Sequence, residues 1–107
     1  IERLAEQARR EIPGIDAINS VGDSLDIMAA GVSKGEALRI LAVHLGLEPG
    51  QVAAFGDNEN DISMLEAAGF AVAMGNAHSP VQAAADVVTA TNREDGFARA
   101  VYAHLLT

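Results

Sequence analysis

Apolar positions along this chain follow two different rhythms, and the change between them falls near Ala29 to Ser33. In the first stretch, Leu4 and Ala8 recur at helical spacing and predict a short helix over Ile1 to Arg10, which Pro13-Gly14 breaks. Ile15 to Asn19 and Leu25 to Met28 then read as two strands joined by a Val21-Gly22-Asp23-Ser24 turn, a hairpin. From Ser33 onward the pattern alternates. Ser33-Lys34-Gly35-Glu36 has the S-x-x-E form of a capping box, Leu38, Leu41, Ala42 and Leu45 follow at helical spacing, and Gly46 stops the helix. Val52 to Phe55 predicts a strand, Glu59 to Ala68 a helix, and Phe70 to Met74 a second strand. Ser79-Pro80-Val81-Gln82 offers another capping box, with proline at the first position of a helix reaching about Ala85. Val87 to Thr89 predicts a third strand, and Asn92 caps a last helix with Phe97, Val101 and Leu105 on one face. Helix and strand in strict alternation imply an α/β fold, a doubly wound parallel sheet covered by helices on both faces. Residues 31–107 carry that pattern; residues 1–30 break it and read as the end of a different unit.

Bulk properties narrow the function. The 107 residues suffice for one small domain and fall below the usual size of a complete metabolic enzyme. With 50% hydrophobic but only 4% aromatic residues, the core must be built from Ala, Val, Leu and Ile. No apolar run approaches the ~20 residues that span a bilayer, and no signal peptide is visible, so a soluble protein is expected. The absence of cysteine excludes disulfides and thiolate metal sites and fits a cytoplasmic location. A net charge of −8 argues against nucleic acid as partner, because such binding neutralises phosphates with clustered Lys and Arg. Ile1 stands where an initiating Met would, as in a processed or partial chain.

The densest chemistry follows the third predicted strand, in Phe55-Gly56-Asp57-Asn58-Glu59-Asn60-Asp61. A buried strand ends, Gly56 lets the chain turn, and carboxylates and amides cluster at the end of the strand where α/β proteins bind ligands. Asp57 is the leading metal candidate, since a carboxylate there suits Mg²⁺, a hard cation that shares oxygen ligands with substrate phosphate. The plainer role for Asp57 is a helix cap. Asp61 lies four residues on and is expected on the same helical face, where the helix dipole alone would also favour it. Asn60 could donate its amide hydrogen to a phosphate oxygen or face solvent. Lys34 is the only lysine among seven cationic residues and sits at a helix N-terminus, the end a cation disfavours. A compact ammonium suits the neutralisation of a phosphoryl group; a solvated surface residue is the alternative. His44, His78 and His104 form no metal-ligand pattern. Asn76, after the next strand, should lie on the same rim, as a site residue or a turn residue.

Three segments, Gly31-Val32-Ser33-Lys34-Gly35, Phe55 through Leu65, and Ala73-Met74-Gly75-Asn76-Ala77, resemble the C-terminal core of Cof-type phosphatases. These are haloacid-dehalogenase-like hydrolases with a large type IIB cap. The resemblance covers roughly Leu25 to Leu106 and implies a Rossmann-like core over residues 31–107, preceded over 1–30 by the last part of an α+β cap. It implies hydrolysis of small phosphomonoesters, such as sugar phosphates, through an aspartyl-phosphate and with Mg²⁺. Lys34 would balance charge on the nucleophile and phosphoryl group, Asp57 would bind the metal, and Asn60 would contact phosphate. Asp61 would support the metal's water shell or Lys34.

One part of the family pattern is missing. The nucleophilic Asp-x-Asp-Gly motif does not occur among the 107 residues, nor does the Ser/Thr phosphate motif that follows it. The chain therefore reads as a C-terminal portion, inactive alone, with the edge of its first core strand open. Such an edge predicts self-association or pairing with the missing N-terminal half. Two other readings compete: a non-catalytic or split-subunit domain that binds a partner chain, and the phosphorylation domain of a P-type ATPase, whose Gly-Asp-x-x-Asn-Asp turn is similar.

Overall fold

The computed structural model describes residues 2–19 and 25–106. Helix α1 spans Glu2–Glu11, with Glu2 in its first turn and Arg9 and Arg10 in its last, charges that suit the two ends of the helix dipole. Ala5, rather than Leu4, is its buried residue; Leu4 is more than half exposed. Strands β1 (Ile15–Asn19) and β2 (Leu25–Ala29) pair antiparallel from Ile15↔Ala29 to Asn19↔Leu25, and the connecting turn lies outside the described residues. The Arg9 guanidinium donates to the Ala17 carbonyl at 2.7 Å and ties α1 to the hairpin.

Helix α2 (Lys34–His44) begins as the capping residue requires: Ser33 Oγ accepts from the Glu36 N–H at 3.1 Å. The reciprocal half of the box does not form, because Glu36 pairs with Arg39 one turn on. The helix closes with Gly46 at φ 69°, the Leu47 N–H bonded to the Ala42 carbonyl and the Gly46 N–H to that of Val43. That double closure is the Schellman motif, which glycine enables by adopting positive φ without strain. Ala42 is buried, whereas Leu41 and Leu45 are exposed.

The parallel sheet has the order β3-β4-β5, formed by Ala53–Gly56, Phe70–Ala73 and Val87–Val88. β3 and β4 pair from Ala53↔Phe70 to Gly56↔Ala73, and β4 pairs with β5 at Val72↔Val87 and Ala73↔Val88. Flanked on both edges, β4 is the buried strand, with Ala71, Val72 and Ala73 essentially inaccessible. Its uninterrupted apolar sequence is what a central parallel strand demands. Between β3 and β4 the chain makes a 3₁₀ turn, Glu59–Asp61, and then α3, Ile62–Ala67, where the sequence predicts one continuous helix. Ala54, Leu65, Ala71, Ala73, Ala77 and Val81 form the core, with Leu38 and Ile62 packed against it.

Helix α4 (Ser79–Ala83) departs from its expected cap. His78 occupies the cap position without a side-chain bond, and the Gln82 amide donates instead to the carbonyls of Gly75 and Ala77. Gln82 thus fastens the loop that follows β4. The last expected helix is also divided: Asn92–Glu94 is a 3₁₀ turn capped by Thr91, and α5 (Gly96–Ala100) runs into a π turn, Val101–Leu105. The ring of Phe97 packs at a tilt of 53° against Phe55 with centroids 4.6 Å apart, although Phe97 remains more than half exposed.

Candidate functional site

The site is assembled where β3 ends. Gly56 is buried, and a Cβ built on it would lie 2.7 Å from the Cβ of Asp61. The glycine therefore makes room for Asp61 and is not needed for an unusual turn angle. Asp61, 5% exposed, folds back beneath the loop instead of continuing a helical face with Asp57. Its Oδ2 accepts the backbone N–H groups of Asp57 at 3.0 Å and Asn58 at 3.2 Å. Its Oδ1 accepts from Lys34 Nζ at 2.5 Å. The expectation that Asp57 and Asp61 share one helix face is thus corrected, because a 3₁₀ turn separates them and one carboxylate organises the loop that displays the other.

Electrostatics follow from that geometry. Burial pushes the Asp61 carboxyl up, but the Lys34 hydrogen bond, the two backbone N–H donors and the Lys34 charge together outweigh it. The carboxyl is held below its ordinary value and stays ionised. Lys34 is half exposed along its side chain, so its ammonium is anchored on one side and open on the other. Asp57 is exposed and its carboxylate makes no hydrogen bond among the described residues. Asn60 carries a buried Oδ1 with no hydrogen-bond partner among the described residues, an unusual state for a buried polar atom. Asn76 has a structural part, its Oδ1 accepting the Asn92 N–H at 3.0 Å to join two loops.

Two residues that sequence reasoning assigned no role hold the site together. The Gly35 N–H donates to Ser63 Oγ at 3.0 Å, and Gly35 sits so close to the Ser63 backbone that no side chain fits between them. This clasp brings the first turn of α2 against the start of α3 and fixes Lys34 over Asp61. A glycine at the second position of a helix was the available signal, since glycine is disfavoured there unless something approaches closely.

Asp57 suits Mg²⁺ as a single oxygen ligand. The described residues, however, gather no cluster of three or more His, Asp or Glu placed to hold a metal ion. Asp61 is already committed on both oxygens. Among the described residues, Asp57 is therefore a free carboxylate that no further His, Asp or Glu joins in a ligand cluster.

Comparison with known proteins settles the lineage. The family model for haloacid dehalogenase-like hydrolases matches residues 1–101. The chain belongs to that family. It is 46% identical over 106 residues to the pyridoxal phosphate phosphatase YbhA of Escherichia coli, covering 99% of this chain and 39% of that protein. It is 41% identical over 87 residues to the 5-amino-6-(5-phospho-D-ribitylamino)uracil phosphatase YcsE of Bacillus subtilis, covering 81% of this chain and 35% of that one. Among solved structures, a sugar phosphatase of haloacid-dehalogenase subclass IIB superposes with a TM-score of 0.89 at 35% identity, over 95% of this chain and 39% of the other. The chain thus spans between a third and two-fifths of these relatives. The α/β family fold expected from the motifs is the fold observed. Among the described residues, no helix is long and apolar enough to cross a membrane.

Proposed function

We propose that these residues are the C-terminal portion of a Mg²⁺-dependent phosphatase of small phosphorylated metabolites, such as sugar phosphates, working in the cytoplasm. Residues 1–30 would be the end of a cap and residues 31–107 the core. One observation carries the reading: the half-exposed Lys34 ammonium, fixed by buried Asp61, lies beside the loop that displays the free carboxylate of Asp57. Lys34 would neutralise charge on the phosphoryl group through its open side, where a preorganised cation is worth most. Asp61 would position Lys34 and keep the loop in shape. Asn60 would donate its amide to a phosphate oxygen. Asp57 would give one carboxylate to Mg²⁺, which would stabilise phosphate charge, with the remaining ligands coming from outside these residues.

The nucleophile would likewise come from outside them, since no Asp-x-Asp occurs among the 107 residues. Its carboxylate would attack phosphorus, expelling the alcohol and forming an acyl phosphate that water then hydrolyses. The test is phosphate release from an aryl phosphate with Mg²⁺. The 107-residue chain alone should give none. A longer gene product containing it should be active, and Asp57→Ala and Lys34→Ala should each lower turnover about 10²-fold. Release by the short chain, abolished by Asp57→Ala, would place a nucleophile within these residues and overturn the proposal.

The sheet itself favours a partner. β3 is an edge strand, and beside it runs an apolar groove of about 440 Å³ bordered by Leu38, Leu41, Val52 and Met64. An open apolar edge of this kind recruits another strand. We take the occupant to be the segment that brings the nucleophile. A short chain that sediments as a monomer at high concentration, and does not bind that segment, would refute this.

A further inference from the structure

A second hollow lies between the first turn of α2 and the 3₁₀ turn before α3, with a volume of about 560 Å³. That size falls within the ~300–1,000 Å³ usual for small-molecule pockets. Met28, Val32, Ala37 and Ile62 make its apolar wall, and Lys34 and Asn60 line it as well. It therefore opens beside the ammonium to which the phosphate reading assigns the phosphoryl group. We propose that this hollow receives the organic part of the phosphorylated substrate, and that it selects an apolar ring or chain bearing a hydroxyl or amino donor. The inference rests on the phosphate-binding reading above and adds the class of substrate.

Three observations point to that class. The wall is hydrocarbon, so an apolar body gains by leaving water there. The Asn60 Oδ1 is a buried acceptor without a donor among the described residues. A ligand donor that reaches this oxygen displaces no protein hydrogen bond and leaves the Asn60 N–H groups for the phosphate. Finally, Glu59 and Glu66 also line the hollow, and among the described residues neither has an ion-pair partner. Two unpaired carboxylates repel a second phosphate or a carboxylate and attract a donor. The hollow should thus reject bisphosphates and phosphorylated acids and accept a ring alcohol or amine.

The experiment is a methyl and amide NMR titration of the full 107-residue chain, reading Met28, Ile62 and the amides of Asp57 and Asn58. The probes are inorganic phosphate, 3-hydroxybenzyl phosphate and 3-methylbenzyl phosphate. Inorganic phosphate should shift only the loop amides. 3-Hydroxybenzyl phosphate should also shift the Met28 and Ile62 methyls and bind about tenfold tighter than its methyl counterpart, the worth of one hydrogen bond. Asn60→Leu should bring that ratio to about one. Val32→Trp, at an exposed position on the wall, should remove the methyl shifts and leave the loop response to inorganic phosphate. Loop shifts without methyl shifts would overturn the pocket and leave the phosphate reading standing. Methyl shifts that ignore the hydroxyl would overturn the donor selection. Loop amides unmoved by every phosphate would overturn the phosphate reading, on which this inference rests.

Discussion

Replacing Gly35 by alanine should destabilise this protein, against the usual effect of such a change. Within a helix, Gly→Ala normally gains up to about 1 kcal/mol, because alanine loses less backbone entropy on folding. At Gly35 an added Cβ would overlap the Ser63 carbonyl, a backbone group that cannot rotate away. Forcing an extra carbon into such a contact costs about 1–3 kcal/mol. Relief by separating α2 from α3 also breaks the Gly35 N–H to Ser63 Oγ bond, worth about 1 kcal/mol more. The net expectation is a loss of about 1–3 kcal/mol, or a melting temperature lower by about 5–15 °C at this chain length. Gly50→Ala is the matching control. A Cβ there meets nothing within 4 Å and the backbone is not at positive φ, so it should stabilise by about 0.5 kcal/mol. Urea denaturation of the two variants should therefore give shifts of opposite sign. A Gly35→Ala protein as stable as the parent would show that the clasp between α2 and α3 yields freely, and the account of how Lys34 is held would fail.

Other perturbations separate the parts of the site. Asp61→Ala leaves two backbone N–H groups without an acceptor and should cost about 2–4 kcal/mol, whereas Lys34→Met should cost about 1 kcal/mol or less, because its ammonium is half exposed and screened; denaturant titration compares the two. Asp61 has a folded-state carboxyl below its ordinary 3.8, so its stabilisation is present above about pH 4 and is lost as pH falls through the lower folded value. Acid titration followed by circular dichroism should then show a steeper loss of stability below pH 4 for the parent than for Asp61→Asn. Asp57→Ala, at an exposed residue whose carboxylate makes no hydrogen bond among the described residues, should change stability by less than about 0.5 kcal/mol, and under the proposed function it should abolish the Mg²⁺ response of a longer gene product; a large stability loss would make Asp57 a structural residue.

The alternating pattern after Ser33 was enough to read a parallel sheet, because an apolar run such as Phe70–Ala73 is specific to a strand buried on both faces. The pattern could not show how the Asp57–Asp61 segment folds. Four-residue spacing fits an α-turn, but the two N–H groups preceding it needed an acceptor, and Asp61 turning inward provided one. Capping was legible only in part. Ser33 caps as its position implies, whereas the Ser79 box gave way because Gln82 finds two loop carbonyls within reach. The Leu4 and Ala8 stripe misplaced the buried face of α1 by one residue: where α1 lies against β1, Ala5 is buried and the larger Leu4 is left exposed. The pairing of Lys34 with Asp61 spans 27 positions, and nothing local in the sequence encodes a contact at that distance.

A lysine at the start of a helix faces the positive end of the dipole, and its presence at α2 needs a compensating charge. Asp61 supplies it, but at the expense of its own freedom: one oxygen is held by Lys34 and the other by two backbone amides. A carboxylate so occupied is a poor metal ligand and a poor proton carrier, while Asp57, four residues earlier, is exposed with both oxygens uncommitted among the described residues. Two identical side chains thus acquire different chemistry from their surroundings alone. The tied one fixes a cation and shapes a loop, and the loop in turn presents the free one. Removing Asp61 should therefore disturb everything Asp57 does, whereas removing Asp57 should leave the Lys34–Asp61 pair in place. That asymmetry is a property of the hydrogen-bond geometry, and any ligand that uses Asp57 inherits it.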